Sequence, residues 1–163
     1  MQAITKVVRL AMQLFFITYV SLVFAQDVQR GNEEDVKRMI DDALSYIKEV
    51  GTEKAFKDFN DQENKRWHYK DLYIFCSKMD GMTDCHGANS ALIGKNLYLM
   101  QSVDGQYFVR DSADIVRKSG SGWLHYKRAN PLTKKVEDKK VFVIKVPGYD
   151  GFIGTGIFTK LQD

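Results

Sequence analysis

The chain has 163 residues, 44% hydrophobic and 28% charged, with 24 Lys and Arg against 21 Asp and Glu for a formal charge of +3. Two of those cations, Lys6 and Arg9, fall in the first 25 residues, so the other 138 carry only +1. That is one domain's worth of chain with a nearly neutral, mixed-sign surface; it carries no electrostatic footprint for nucleic acid and no long polar tract of a disordered tail.

Residues 1–25 combine the basic start with an apolar run from Leu10 to Ala25 and a Val-Phe-Ala end. This predicts a signal peptide cleaved near Ala25/Gln26, with the mature protein, residues 26–163, periplasmic or secreted as a single domain. Read instead as a retained anchor, the run is short for a spanning helix and is interrupted by Gln13, Thr18 and Ser21.

From Glu33 to Val50, Val36, Met39, Ile40, Ala43, Leu44, Ile47 and Val50 recur at three- and four-residue steps, which predicts an amphipathic helix. Acids at Glu33, Glu34 and Asp35 suit its N-terminus and Gly51 its C-terminal cap. A short helix using Ala55, Phe56 and Phe59 follows Thr52. Residues 71–79 and 82–88 read as a hairpin with Asp80-Gly81 as a two-residue turn. Residues 89–105 read as loop and short helix, and 108–119 as a helix ended by Gly120. Three runs rich in Val, Ile, Phe and Tyr between 122 and 159, separated by NPLTKK and PGYDG, read as an antiparallel meander. The Lys134, Lys135, Lys139 and Lys140 cluster reads as a solvated turn and strand edge.

With Asp80 and Gly81 as the turn, Cys76 falls opposite Cys85 at a non-hydrogen-bonded site, where side chains approach closest and a disulfide can form after export. Two alternatives stay open. A one-residue slip at a bulged turn would put the sulfurs on opposite faces. A metal site using both cysteines, His86 and a distant His68 or His125 matches no recognised zinc spacing.

Several motifs occur in a family's order: DLYIF at 71–75, DG at 80–81, HG at 86–87, LIGKNL at 92–97, DGQYFV at 104–109, then GW..Y, NP.T, a Lys before VFV, VPGxD and GTGIF between 122 and 158. Over residues 33 to 159 the chain resembles a single Cache domain, an extracytoplasmic, PAS-like small-molecule sensor. The resemblance implies an α+β fold with the N-terminal amphipathic helix packed on a central antiparallel sheet of about five to six strands. It also implies ligand contacts from Tyr73 of DLY, His86 of HG, Tyr126 of GW..Y and the strand lysine Lys139. Relatives commonly carry an aromatic residue at Arg128 and Tyr at Phe142, so both positions bear on the ligand class.

Strand alternation places Tyr73, Phe75 and His86 on one hairpin face and separates Leu124, Tyr126 and Arg128 from Trp123, His125 and Lys127. A pocket of Tyr73, Phe75, His86, Tyr126, Arg128 and Lys139 would offer aromatic walls with hydroxyl, imidazole and cationic donors, which suit a small anion such as a short carboxylate. Each residue also fits plain packing or solvent exposure. The expected protein is a ligand-binding sensor without cofactor, relaying through a membrane receptor or sensor kinase because no output segment follows Phe158. The first helix packs on its own sheet or supports a homodimer. The rival readings are a structural or interaction protein that keeps the fold without the pocket, and an exported enzyme. Against the latter, the chain shows no nucleophile elbow, zinc-protease helix or associated triad.

Overall fold

The computed structural model describes residues 29–159. The expected signal peptide and its cleavage position lie outside the described residues. Helix α1 (Glu33–Val50) starts at a reciprocal cap: Asn32 accepts the Asp35 N–H at 2.9 Å and its own N–H donates to the Asp35 carboxylate at 3.1 Å. It ends at Gly51, whose φ of +82° few side chains tolerate and whose N–H reaches the Ile47 carbonyl. Helix α2 (Thr52–Phe59) follows at once.

A two-stranded ribbon, β1 (His68–Tyr69) with β2 (Leu72–Tyr73), precedes the hairpin β3 (Phe75–Lys78) and β4 (Thr83–His86). A 3-10 turn (Ser90–Leu92) and a loop lead to helix α3 (Phe108–Ser119), then to β5 (Ser121–Ala129), β6 (Val136–Lys145) and β7 (Gly151–Thr159). The main sheet is fully antiparallel, in the order β4-β3-β7-β6-β5. The sequence predicts one strand over 71–79; the structure breaks it at Ile74, giving its first part to the ribbon with β1.

The hairpin corrects the expected turn. Gly81, at φ +93°, donates to the Lys78 carbonyl and Lys78 N–H reaches the Met82 carbonyl, so the loop is the three residues Met79–Gly81. Ser77 therefore pairs with Thr83, one step out of the expected register. A bulge at Asp84 then restores the pairing, and Cys76 stands opposite Cys85 as predicted. The two cysteines are bonded, with Cα atoms 4.7 Å apart. Both sulfurs are thereby consumed, which removes the cysteine metal site.

Helices and sheet make two cores, one on each sheet face. Val36, Met39, Ile40, Ala43 and Ile47 of α1 pack with Phe56, Phe59, Trp67, Ile74, the disulfide and Ile153. On the opposite face Phe108, Val109, Ala113 and Val116 of α3 cover Tyr126, Val141, Val143 and Phe152. Strand β6 shows the alternation that serves both: Glu137, Lys139, Val141 and Val143 are buried under the α3 side, while Phe142 and Ile144 pack toward α1. No helix among the described residues is long and apolar enough to cross a membrane.

Candidate functional site

Between the sheet and α3 lies a cavity of about 30 Å³. The hairpin side supplies Tyr73, Phe75, Ser77, Thr83 and His86; the meander supplies Tyr126, Arg128, Lys139 and Phe152; Leu97 and α3 residues Phe108, Val109 and Ser112 close it. All six predicted pocket residues border this one space. Phe142 does not: it packs on Trp123 with centroids 5.1 Å apart on the α1 side, so the hydroxyl it lacks belongs to no wall of the cavity.

Lys139 belongs to a strand whose alternation turns it inward, which corrects its expected place in a solvated cluster. Only 2% exposed, its Nζ donates to the Tyr73 hydroxyl at 2.5 Å and lies 4.2 Å from the Tyr73 ring and 4.5 Å from the Phe158 ring. Burial, reinforced by the Arg128 charge, holds its pKa well below the ordinary lysine value, and Asp71 only partly opposes this. Asp71 itself accepts the backbone N–H groups of Gly31 at 2.6 Å and Phe158 at 3.3 Å. Arg128 lies 4.9 Å over the Phe108 ring, which in turn stacks on Tyr126. Among the described residues no carboxylate makes an ion pair with Lys139 or Arg128.

His86 is locked as a neutral donor. Its Nδ1 accepts the Asn89 N–H at 3.1 Å, which leaves the ring proton on Nε2. Burial, then the charges of Lys139 and Arg128, push its pKa down to about 3. Asn60 at the end of α2 fixes the His86 backbone by accepting its N–H at 2.8 Å. The Tyr126 hydroxyl borders the cavity and makes no hydrogen bond to another described residue, and burial pushes its pKa up to about 12. Tyr73 is raised further for the same cause, with Tyr126 adding to it, so it keeps its proton and can donate it. The Ser112 hydroxyl is spent on the Phe108 carbonyl at 2.6 Å. The cavity thus concentrates positive charge and proton donors around a space with no anion of its own.

Sequence reasoning missed Ser77, Thr83, Leu97, Phe108, Val109, Ser112 and Phe152. The helix period marks the apolar stripe of α3 but not the object it covers, and Thr83 reaches the cavity only through the Asp84 bulge. Behind the cavity, Glu137, two residues before Lys139 on the same face, accepts from Arg30 at 2.7 and 3.0 Å, Asn130 at 2.8 Å and Thr133 at 2.8 Å. Arg30, first, and these neutral donors hold the Glu137 pKa down to about 2. No local pattern joins residue 30 to residue 137.

Residues 23–160 match the family described as single Cache domain 2, and the chain belongs to that family of extracytoplasmic sensor domains. It is 26% identical over 144 residues to the sensor histidine kinase MctS of Rhizobium johnstonii, covering 83% of this chain and 30% of the kinase, so it spans less than a third of that relative. A methyl-accepting chemotaxis protein from Vibrio parahaemolyticus has the same fold, with a TM-score of 0.67 at 20% identity over 77% of this chain and 86% of its own. So does a Cache chemosensory domain solved to explain carboxylic acid recognition, with a TM-score of 0.66 at 16% identity over 78% and 92%.

Proposed function

We propose that this domain binds a small organic acid without altering it, and that the bound form is read by another protein. One observation carries the reading: Lys139 and Arg128 border a cavity with unspent donors at Tyr126 and His86, and no described carboxylate pairs with either cation. Removing an ammonium from water is costly unless an anion compensates it, so a carboxylate ligand supplies the missing charge and up to four acceptor lone pairs. The space has room for about two waters, since one needs roughly 10–15 Å³, which favours the shortest acids. The carboxylic acid recognised by a neighbour of the same fold is in keeping with this chemistry. An α-ammonium group would meet two cations and no acid, so amino acids fit poorly.

Isothermal titration with short carboxylates and amino acids tests the reading. Saturable binding of at least one carboxylate is expected, and silence across the panel overturns it. The narrow volume favours a second reading, a fold retained for structure or interaction with its cavity filled; a high-resolution structure soaked in the same acids and still empty would select it.

A further inference from the structure

The chain enters and leaves the domain at one end. Arg30 grips Glu137 and donates to the Phe158 carbonyl at 2.8 Å, and Gly31 is tied to Asp71, so residues 30 and 31 sit beside the close of β7. Two hairpin tips flank this place, β1–β2 and β5–β6, and between them lies a groove of about 390 Å³ with Lys65, Lys70, Leu132 and Lys134 in its walls. Lys70 is held by Asp35 at 2.7 Å, which leaves the exposed Lys65 and Lys134 as its open cations. Asp71 is the one acid that lines it, and that carboxylate is buried and engaged by two backbone N–H groups. Three of the six large apolar side chains exposed among the described residues are on these tips: Tyr69 at 48%, Leu132 at 53% and Val136 at 39%.

We propose that this end of the domain seats on an anionic phospholipid surface, with Lys65 and Lys134 meeting headgroup phosphates and Tyr69 and Leu132 entering the interfacial layer. Lysines beside an aromatic ring and aliphatic side chains are the composition that partitions to such an interface. Chain length supports the same occupant. The apolar run ends at Ala25, five residues before Arg30. Five extended residues span at most about 17 Å. Whenever that run occupies a bilayer, during export or as an anchor, the groove lies within reach of the headgroups. The inference is independent of the cavity and its ligand.

Hydrogen exchange of the full chain, with vesicles of phosphatidylcholine alone or mixed with phosphatidylglycerol, tests it. Slowed exchange in residues 65–70 and 130–136 is expected only with the anionic vesicles, and is expected to disappear at about 0.5 M salt, where charge is screened within a few ångströms. The Lys65→Glu, Lys134→Glu double variant should lose that protection while its melting temperature and its carboxylate titration stay as in the parent. Equal slowing on neutral vesicles, slowing that survives the double substitution, or none on either vesicle overturns the proposal.

Discussion

Lys139 and Tyr73, 66 residues apart in the chain, meet through a hydrogen bond of 2.5 Å inside the cavity, and this is the ammonium's one hydrogen bond within the described fold. Replacing Lys139 by Met keeps a long side chain and removes the charge. Loss of its charge-assisted bonds should weaken carboxylate binding by about 2–3 kcal/mol, roughly 30- to 150-fold. The melting temperature should hold or rise, because an amine buried with no anion to offset its desolvation is replaced by an apolar side chain. Titration calorimetry and thermal unfolding of Lys139→Met read the two effects separately, and a fall in both would mark Lys139 as structural.

The same burial sets a pH dependence. The Lys139 pKa is lowered in the folded protein, so the unfolded chain binds more protons over the interval between that value and the ordinary lysine pKa of about 10.4. Across that interval its contribution makes stability rise with pH. A bound carboxylate raises the lysine pKa again, so binding takes up a proton and the apparent affinity falls by up to tenfold per pH unit. Titrations in two buffers of different ionisation enthalpy check this, since proton uptake makes the observed heats differ; identical heats at every pH would refute it.

Glu137 acts with the opposite sign. Its folded pKa of about 2 is below the ordinary 4.5, so the stability it contributes is present above about pH 4.5 and is lost as pH falls toward 2. Glu137→Gln takes the carboxylate charge away from Arg30, Asn130 and Thr133 and should cost about 3 kcal/mol, the lower end for breaking a buried pair. Urea unfolding at neutral pH and near pH 2.5 checks it: the gap between variant and parent should shrink in acid.

The disulfide joins residues nine positions apart. Loop closure of that length is worth about 2–3 kcal/mol. Cys76→Ser with Cys85→Ser should lose that much stability in urea. It should also weaken carboxylate binding several-fold, because this pair fixes the strands that present Phe75 and His86 to the cavity.

Gly154 on β7 lies beneath Phe75, and a Cβ placed there would come within 2.4 Å of the Phe75 ring. Gly154→Ala must push that ring toward the cavity or the strands apart. Loss of carboxylate binding with a destabilisation of about 1–3 kcal/mol is expected, as for overpacking in general.

Much of this architecture is legible in the sequence because local rules and tertiary demands coincide. The α1 stripe from Val36 to Ile47, the Gly51 and Gly120 stops and the two meander turns all mark their elements through residues close in the chain. Tyr73, Phe75, His86, Tyr126, Arg128 and Lys139 share one cavity because alternation orders each strand and the resemblance to a known family orders the strands. What was not legible depends on contacts remote in sequence, α3 closing over Tyr126 and Arg30 reaching Glu137, or, for the Asn89 N–H that sets the His86 tautomer three residues away, on a loop turn with no period to read. The break at Ile74 was hidden for another reason, since a two-residue ribbon strand has no period of its own.

The extra residue in the β3–β4 hairpin decides the sign of the potential inside the domain. In an unbroken ladder Asp84 would stand across from Ser77, and its carboxylate would point at Lys139 and Arg128 as a built-in counter-ion. The displaced register rotates Asp84 outward, where it accepts the Tyr149 hydroxyl at 2.5 Å, and sends the uncharged Thr83 inward in its stead. The chain thereby keeps an acid from quenching its own cations, and a ligand's negative charge finds no resident competitor.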